Sequence, residues 1–446
     1  MGAGTLDEIR SDRLFLQRGI ARGGNGRCAT PFTCKKAADL SYLEKLAPQR
    51  MKAEKTARPL KIAILLDKFL PSRGGERYFS FLARELARRG HEVHVFATKV
   101  ENLNDLPYRV HLIPVWRHPR SLRIISFWRN STRMLRKEHF DIVHGVAQSP
   151  AVNVLNPHGG VERAYLAQEF ASIRSPFYFS YKVLKRYLSV RHYLEIGLQR
   201  ALYRKGGLKK VIAISTMTKR DIVRYYGLPE ERVAVILNCV DISRFHPHNR
   251  AIYRDKKRTE LGIGNDALVL LFAGNNYRLK GLGTVVRTLA LLKGDFPQQE
   301  FHLLVAGRGH ERPYRRLSRV LGVSDNVSFL GNVTGMEHYY AASDIYVHPS
   351  FYDSCSLTVL EALASGLPVV TSRFNGASDA IVSEEGGRVV VDPADASEVA
   401  SAIASFMDEK RRDRARIVTR SWMEGHKPSR NVEETLAVYY EVVAAQ

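Results

Sequence analysis

Two carboxylates, Asp353 and Glu361, flank the start of a predicted helix in the stretch from Tyr346 to Pro368. Apolar residues ending at Val347 predict a strand, and apolar residues recurring at helical spacing after Ser356 predict a helix. Free backbone N–H groups and the positive end of a helix dipole at such a turn favour an anion or a sugar hydroxyl. Because Glu361 lies about two helical turns beyond Asp353, the pair can accept hydrogen bonds from two groups of one ligand.

Taken in isolation, this D-x7-E pair predicts an N-capping aspartate and a solvated glutamate. The surrounding residues L-T-V-L-E-A-L-A-S-G-L-P, however, resemble the E-x7-E segment of the family-4 glycosyltransferases with the GT-B fold. Asp353 takes the place of the first glutamate of that segment, and Cys355-Ser356 replace its Phe-Gly pair. The resemblance implies that Asp353 contacts the donor sugar and that Glu361 binds the nucleotide ribose. It also implies that the amides of Ser354 to Leu357 orient the sugar.

Composition narrows the class of protein. The 446-residue chain has a net charge of +23 and a pI near 9.9, so we expect it to seek polyanions such as nucleic acid, anionic lipid or a phosphorylated glycan. A hydrophobic fraction of 45% and a mean hydropathy of -0.23 are typical of a soluble globular protein, here of two domains. No apolar run approaches the roughly 20 residues of a spanning helix, which excludes an integral membrane protein. The four cysteines lack zinc-site spacing and indicate a reduced cytosol.

Residues 1–58 form a basic tail without sustained periodicity. They lack the apolar core of a signal peptide, so we interpret them as disordered or as untranslated sequence. Met51, immediately before the first predicted strand, is the candidate start in the second case.

Residues 59–240 are predicted to form a Rossmann-like domain, to which the resemblance assigns acceptor binding. The sequence from Lys61 to Phe96 predicts a strand, a glycine turn, a helix and a second strand, which is a βαβ unit. Glycine at such a turn lets the backbone approach a phosphate, although many α/β turns carry glycine for conformation alone. The segment resembles the family's G-G-x-E-R motif with Arg73 in place of its first glycine. This implies phosphate contact through Gly74 and Gly75.

A histidine ends another predicted strand of this domain, in the sequence N-P-H-G-G. The carboxyl end of such a strand faces the crevice where α/β proteins bind ligands. His158 is either a loop histidine with a structural hydrogen bond or a site residue. The resemblance places it near the donor sugar and the acceptor, with His144 as the alternative histidine.

Residues 162–210 combine many Lys and Arg residues with Tyr and Phe and contain few acids. This composition is typical of a surface helix at an anionic membrane interface. A nucleic-acid face with stacking aromatics is a second interpretation, but no helix-turn-helix, zinc or RNP pattern supports it. A third is an ordinary helical insertion whose aromatics are core. We expect membrane docking and no nucleic-acid partner.

Residues 241–428 are predicted to form the second Rossmann-like domain, entered through a hinge at Asn238–Phe245. A predicted buried strand ends at Gly274 and is followed by a turn that carries cations. Cations suit a diphosphate, because negative charge grows on the diphosphate as it departs as the leaving group. The turn resembles the family's G-R-x-x-x-x-K-G motif. The resemblance implies that Lys280 holds the diphosphate with help from Arg278.

Two further strand ends, A-G-R-G and F-L-G-N-V, resemble segments with which the family contacts the donor nucleotide. The resemblance implies that Gly307 binds the donor and that backbone groups at Gly331 and Asn332 read the base. The sequence of residues 429–446 predicts an amphipathic helix. The resemblance implies that this helix packs on the first domain.

The resulting prediction is an α/β protein of the GT-B fold, with two Rossmann-like doubly wound domains facing across a cleft. Ala251-Ile252-Tyr253-Arg254 and the basic, Tyr-rich segment are similar to those of lipopolysaccharide core glucosyltransferases. The resemblance implies a retaining hexosyltransferase that uses UDP-glucose and a core heptose acceptor, without a cofactor, at the inner face of the bacterial inner membrane. No Asp-x-Asp pair is placed to hold a metal, so we expect lysine and a helix dipole to stabilise the diphosphate.

Two alternatives stay open at the level of sequence. The same fold serves nucleotide-sugar epimerases, which act on a soluble ligand. The replacements Arg73, Asp353 and Cys239 are also compatible with a degenerate nucleotide-sugar-binding protein.

Overall fold

The structure is a computed structural model that describes residues 58–445 apart from 71–73, 102–105, 117, 147–148, 174 and 206. The predicted tail up to residue 57, with Cys28, Cys34 and Met51, lies outside the described residues, and so does Arg73. Residues from Pro59 onward form one compact unit.

The first half of this unit is built on a parallel sheet of seven strands in the order β5-β3-β1-β6-β7-β8-β9. Its strands are near-continuous apolar runs, as expected where helices cover both faces of a sheet. Two short strands form a separate pair, β2 with β4. The strands are β1 (Lys61–Leu65), β2 (Lys68–Phe69), β3 (Glu92–Ala97), β4 (Lys99–Val100), β5 (Arg109–Leu112), β6 (Ile142–Gly145), β7 (Val154–Leu155), β8 (Lys210–Ala213) and β9 (Val233–Val235).

Six helices of the described residues accompany this sheet. They are α1 (Gly74–Arg88), α2 (Arg120–Leu135), α3 (Glu162–Ala171), α4 (Pro176–Tyr187), α5 (Val190–Lys205) and α6 (Thr216–Tyr226). The apolar stripe of α1 packs on one face of the sheet, and α2, α5 and α6 pack on the other. The basic segment therefore forms three helices, α3 to α5.

The second half has a parallel sheet of six strands in the order β12-β11-β10-β13-β14-β15. The strands are β10 (Leu268–Ala273), β11 (Phe301–Ala306), β12 (Val327–Gly331), β13 (Ile345–His348), β14 (Val369–Ser372) and β15 (Gly387–Val390). The helices are α7 (Asn249–Glu260), α8 (Leu282–Asp295), α9 (Arg312–Val320), α10 (Met336–Ala342), α11 (Leu357–Ala364), α12 (Ala396–Ala404), α13 (Glu409–Glu424) and α14 (Pro428–Ala444). Helices α8 and α12 cover one face, and α11 covers the other.

The chain crosses between the two sheets twice. It leaves the first sheet after β9 and enters α7 through a segment that contains the proposed hinge. It returns as α14, which buries Val432, Leu436 and Tyr439 against the first sheet. Burying each such side chain contributes about 1.5–3 kcal/mol. Two Rossmann-like domains and a returning C-terminal helix confirm the predicted fold class.

Several predicted local elements differ from the observed ones. Gly74 and Gly75 form the first turn of α1 rather than a separate glycine turn. The strand predicted to end at His158 pairs with its neighbours only at Val154–Leu155. Among the helices of the described residues, none combines the length and the apolar composition needed to cross a bilayer.

Candidate functional site

Asp353 lies in the turn that joins β13 to α11. Its N–H donates to the Phe374 carbonyl over 2.9 Å, and its own carbonyl accepts from the Gly376 N–H over 2.8 Å. These two bonds fix the turn to the loop after β14. Ser356 is the N-cap residue of α11, so the Asp353 carboxylate lies next to the positive end of this helix.

The side chains of Lys280 and Asp353 form an ion pair. The His348 Nε2 lies 3.7 Å from the same carboxylate. Although burial acts to raise it, Lys280 and His348 hold the pKa of Asp353 well below its ordinary range, so the carboxylate is ionised at neutral pH. The structure thus brings together two residues that sequence reasoning assigned to separate roles.

Gly281 allows the close approach of these two segments. It has a φ of +82°, and a Cβ there would collide with the Pro349 carbonyl. Gly281 is also the N-cap of α8, so Lys280 lies one residue before this helix start. A larger residue at position 281 would push the Lys280 turn away from Asp353.

Arg278 has different partners from Lys280. Its guanidinium donates to the Ser172 hydroxyl and to the Glu169 carbonyl, and it pairs with the Glu169 carboxylate over 3.3 Å. Both partners lie at the end of α3 in the first domain. In this structure Arg278 therefore joins the two domains, and its contact with a diphosphate stays a prediction.

Glu361 lies in the second turn of α11. Its Oε2 accepts a hydrogen bond from the Tyr340 hydroxyl over 3.0 Å. Burial raises its pKa to about 7, which the Tyr340 hydrogen bond and the charge of Arg244 only partly offset. Near neutral pH this half-buried carboxylate therefore changes its charge, within the helix that also positions Asp353.

His158 faces the second domain from the carboxyl edge of the first sheet. Its carbonyl accepts a hydrogen bond from the Ser354 hydroxyl over 2.6 Å. Its ring packs against Tyr78 and Phe79, and within the described part of the chain its Nε2 is shielded without a hydrogen-bond partner. Burial lowers its pKa to about 3, so the imidazole is neutral.

His144, the alternative histidine, has a structural partner. Its Nδ1 lies 2.5 Å from the Tyr439 hydroxyl of α14, and its ring is buried. The structure therefore favours His158 over His144 as the histidine next to the Asp353 turn.

Hydrogen bonds with several first-domain residues hold this turn, among them a 3.4 Å bond from the Thr218 hydroxyl to the Ser354 carbonyl. The Val161 N–H donates to the Tyr352 hydroxyl over 3.0 Å, and the Ser215 hydroxyl donates to the Ser354 carbonyl over 2.8 Å. A further one is the bond from the Ser354 hydroxyl to the His158 carbonyl. The residues on both sides of Asp353 are therefore held by the opposite domain.

Sequence reasoning missed three residues of this site. Tyr352 precedes Asp353, and Ser215 is the N-cap of α6, but neither was assigned a role. His348, which directly follows the apolar residues of β13, is the third: its buried ring stacks on Phe272, and its Nε2 lies 3.7 Å from Asp353. Adjacency to Asp353 was the one available signal for Tyr352.

The predicted glycines of the second domain meet at the carboxyl edge of its sheet. Gly307 has a φ of +113°, and a Cβ there would collide with the backbone of Gly274. The Gly307 N–H donates to the Gly331 carbonyl over 2.7 Å. The next residue, Asn332, is exposed. This edge consequently presents backbone rather than bulky side chains, as close approach to a ligand requires.

Cys355 does not reach the surface of the site. Its side chain is buried in the core beneath α11, and burial raises the pKa of its thiol. Only its backbone amide can contribute to a ligand site, together with those of Ser354, Ser356 and Leu357. Within the described residues, no group of three or more His, Cys, Asp or Glu side chains is arranged to hold a metal ion.

Two family models match this chain, one in each domain. The model described as "Glycosyltransferase Family 4" matches residues 72–244, and the model "Glycosyl transferases group 1" matches residues 267–409. The two matches cover the Asp353 turn, His158 and Lys280.

Two curated proteins illustrate the range of relatives. The chain is 26% identical over 336 residues to lipopolysaccharide glucosyltransferase WaaG of Escherichia coli K12, covering 74% of this chain and 85% of that protein. It is 33% identical over 219 residues to D-inositol 3-phosphate glycosyltransferase of Thermomonospora curvata, covering 46% of this chain and 51% of that protein. The chain thus spans about half the length of the second relative.

Solved structures show the same fold. The crystal structure of WaaG superimposes with a TM-score of 0.68 at 23% identity, covering 84% of this chain and 98% of that chain. Anabaena Alr3699/HepE in complex with UDP and glucose superimposes with a TM-score of 0.62 at 17% identity, covering 86% and 99%. Together with the two family models, these likenesses show that the chain belongs to the family-4 glycosyltransferases of the GT-B fold.

Proposed function

We propose that this glycosyltransferase moves a hexose, glucose, from UDP-glucose to a lipid-anchored glycan such as the lipopolysaccharide core, with retention of configuration. One observation carries the proposal: Asp353 and Glu361 lie along one turn-and-helix unit that pairs with Lys280 and is hydrogen-bonded to the His158 backbone. Lipopolysaccharide glucosyltransferase WaaG, similar over most of its length, supports the choice of sugar and acceptor.

The donor nucleotide is assigned to the domain at 241–428. The ribose hydroxyls would donate to Glu361, and backbone groups at Gly274, Gly307, Gly331 and Asn332 would contact the base and phosphates. These positions meet the requirement for close backbone approach at the carboxyl edge of a parallel sheet.

The diphosphate is assigned to Lys280, with Arg278 reaching it only after release from Glu169. Lys280 is paired with the Asp353 carboxylate, so the proposal requires its ammonium to turn towards the phosphate as negative charge grows there. The N-terminus of α1, at Gly74 and Gly75, offers further backbone amides to a phosphate. No metal is needed in this scheme.

The sugar is assigned to Asp353 and to the amides from Ser354 to Leu357 at the start of α11. The bond between the anomeric carbon and the diphosphate oxygen breaks, and UDP departs with the electron pair. An acceptor hydroxyl, bound by the domain at 59–240, bonds to the anomeric carbon and passes its proton to the departing diphosphate oxygen. A hydrogen bond to the sugar or the acceptor is assigned to the neutral His158 imidazole, and this requires its shielded Nε2 to become accessible when the ligand binds.

The acceptor's lipid is assigned to the segment 162–210. Helix α4 and its C-cap residue expose large apolar side chains: Phe177 and Leu184 of the helix are 90% and 57% exposed, and the C-cap Leu188 is 70% exposed. Lys185 is also exposed on this helix. Apolar and basic residues on one exposed helix fit the interface of an anionic membrane. We accordingly place the enzyme in the cytoplasm, peripheral to the inner membrane.

The proposal is tested by incubating the purified protein with a panel of nucleotide sugars and measuring release of the nucleotide, with and without EDTA. We expect release of UDP from UDP-glucose, unaffected by EDTA. Lys280→Ala should lower kcat by about 10²- to 10³-fold, because removing one group that stabilises developing charge has effects of this size. The exposed Lys410→Ala is the matched control and should behave as wild type.

Two results would contradict the proposal. Conversion of the sugar without release of UDP would indicate an epimerase. Binding without turnover of any donor, even with a lipopolysaccharide extract as acceptor, would indicate a degenerate binding protein.

A further inference from the structure

An exposed tryptophan lies at the carboxyl edge of the first sheet, away from the Asp353 turn. Trp116, in the loop between β5 and α2, is 61% exposed, and Leu112 at the end of β5 is 58% exposed. Leu122 and Ile125 of α2 are also exposed, and several exposed large apolar residues on one short stretch of chain are more informative than a single one. The segment 162–210, the proposed membrane-binding region, does not include them.

The loop that carries Trp116 is held rigidly. The Trp116 N–H donates to the Ser126 hydroxyl over 3.1 Å, and the Asn130 side chain donates to the Pro114 carbonyl over 2.8 Å. Ile113 is buried beneath it. Because α2 fixes the loop at two points, Trp116 is presented as a preorganised platform, which lowers the entropic cost of binding a ligand.

Polar groups from the next two strand ends are linked to this loop through α2, because the Ser126 hydroxyl that accepts from the Trp116 N–H donates to the Arg123 carbonyl over 3.0 Å. Arg123 of α2 pairs with the Asp67 carboxylate over 2.5 Å, and its guanidinium lies 3.4 Å from the Thr98 hydroxyl. Asp67 follows β1 and Thr98 follows β3, and these two strands are the next in the sheet after β5. Three neighbouring strand ends therefore contribute residues to this surface. Asp67 and Arg123 remain 46% and 30% exposed and can still bind hydroxyl groups. We call Asp67, Thr98, Leu112, Trp116 and Arg123 the Trp116 face.

The charge around the Trp116 face favours an anionic ligand. Next to Trp116 the sequence from 116 to 123 carries three arginines, Arg117, Arg120 and Arg123, and no Asp or Glu. An aromatic platform with a carboxylate and a guanidinium suits a sugar ring, because the ring offers an apolar face and hydroxyl groups at its edge. The surrounding cations suit phosphate groups on that glycan. The exposed Asp67 carboxylate argues against a bare anionic lipid surface as the occupant.

The position of the Trp116 face sets the length of the ligand. Four strand spacings separate β5 from β7, whose carboxyl end leads to His158. At about 4.8 Å per spacing this is about 19 Å. Only an oligosaccharide reaches from the reacting end to Trp116, and a monosaccharide does not.

We infer that the Trp116 face is a distal acceptor subsite that binds a phosphorylated sugar unit several residues from the hydroxyl that is glycosylated. This inference rests on the proposed function for the identity of the acceptor. The binding itself does not depend on turnover.

The test is equilibrium binding of deacylated lipopolysaccharide core oligosaccharide, measured by calorimetry. Trp116→Ala should weaken binding about tenfold, the size of effect expected for truncating an aromatic anchor, and Trp116→Phe should recover most of it. Removing the phosphates from the oligosaccharide should weaken binding to the wild type. Phe177→Ala is the matched control, since it removes an exposed aromatic from α4 and should change vesicle binding but not oligosaccharide binding.

Turnover provides the second readout. Trp116→Ala should raise KM for the full oligosaccharide, leave kcat unchanged, and have no effect with a short acceptor or on donor hydrolysis. Equal affinity of wild type and Trp116→Ala, or no binding by the wild type, would overturn the inference. Loss of vesicle binding in Trp116→Ala with unchanged oligosaccharide affinity would overturn it too, since the face would then contact membrane. Oligosaccharide binding through Trp116 without any sugar transfer would refute the proposed function and leave the subsite standing.

Discussion

Asp353 and Lys280 neutralise each other at the start of α11, and this pairing shapes the donor site. An ionised carboxylate that lies partly out of water is stable only beside a cation, and Lys280 supplies it. Transfer of Lys280 to a phosphate would leave Asp353 free to accept hydrogen bonds from sugar hydroxyls. Asp353 is shorter than the glutamate that is usual in the family. Its turn lies directly against Lys280, so the shorter carboxylate can still exchange the Lys280 ammonium for sugar hydroxyls.

Glu361 should make folding stability depend on pH. Its pKa is about 7 in the folded chain, above the ordinary value of 4.5. A raised carboxyl pKa stabilises the fold fully below the unfolded-state pKa, and this contribution is lost as pH rises through about 7. Glu361→Gln should therefore match the wild type in thermal stability at pH 4.5 and exceed it by a few degrees at pH 8.

Melting temperatures at the two pH values, measured without nucleotide, check this prediction. Glu337→Gln is the comparison, because the pKa of Glu337 is lowered and its pH dependence has the opposite sign. A constant difference between Glu361→Gln and wild type across the pH range would show that Glu361 does not titrate as stated.

At the scale of elements, the β13–α11 turn belongs to one domain and is held by the other. Tyr352 and Ser354 flank Asp353 and are hydrogen-bonded to Val161, His158 and Ser215. Gly160 has no room for a Cβ beside the Tyr352 ring, so this interface is closely packed. Opening of the cleft must break these bonds, and it therefore releases the segment that carries Asp353.

Tyr352→Phe should separate two roles of Tyr352: positioning the Asp353 turn through its hydroxyl and packing against the first domain through its ring. It removes the hydroxyl that accepts from Val161 and retains the ring that packs edge-on against Tyr165. Loss of one such hydrogen bond, about 1 kcal/mol, should lower kcat about fivefold and leave KM for the donor nearly unchanged. Steady-state kinetics with the nucleotide sugar measure both constants.

Tyr165→Phe is the matched control, since its ring contacts Tyr352 from the first domain. An equal fall of kcat in both variants, or a rise of KM alone in Tyr352→Phe, would contradict a positioning role for the Tyr352 hydroxyl.

At the scale of the whole molecule, two further polar contacts, away from the Asp353 turn, join the domains. Arg278 binds Glu169 and Ser172, and Thr216 donates to the Asp379 carboxylate through its N–H and its hydroxyl. Polar contacts of this kind can open and close at modest cost, unlike a large apolar interface. The domain arrangement is therefore suited to release product between turnovers.

Arg278→Ala should shift the free protein towards an open form. Glu169 keeps Lys182 and Arg186 as ion-pair partners, so the substitution leaves no uncompensated buried carboxylate and should change the melting temperature little. Small-angle X-ray scattering should show a larger radius of gyration, and saturating UDP should reduce the difference. Arg315→Ala, which breaks an exposed pair with Glu311 in α9, is the control and should scatter as wild type. Identical scattering of Arg278→Ala and wild type would show that this contact does not hold the cleft closed.

Sequence was sufficient for the local units of the site. The strand, turn and helix around Asp353, Glu361 and Gly366 follow from periodicity and end signals, because their hydrogen bonds close within a short segment. The same holds for the glycine-rich strand ends. The family resemblance extended these units to a fold with two Rossmann-like domains, which the two parallel sheets confirm.

Tertiary structure alone decided which of these units meet. Lys280 and Asp353 are 73 residues apart, and Tyr352 and Val161 are 191 apart, so no local pattern encodes either contact. Such contacts depend on how the strand ends of two sheets face each other across the cleft. The partner of Arg278, the burial of Cys355 and the Trp116 face have the same origin, since each depends on surfaces assembled from distant parts of the chain.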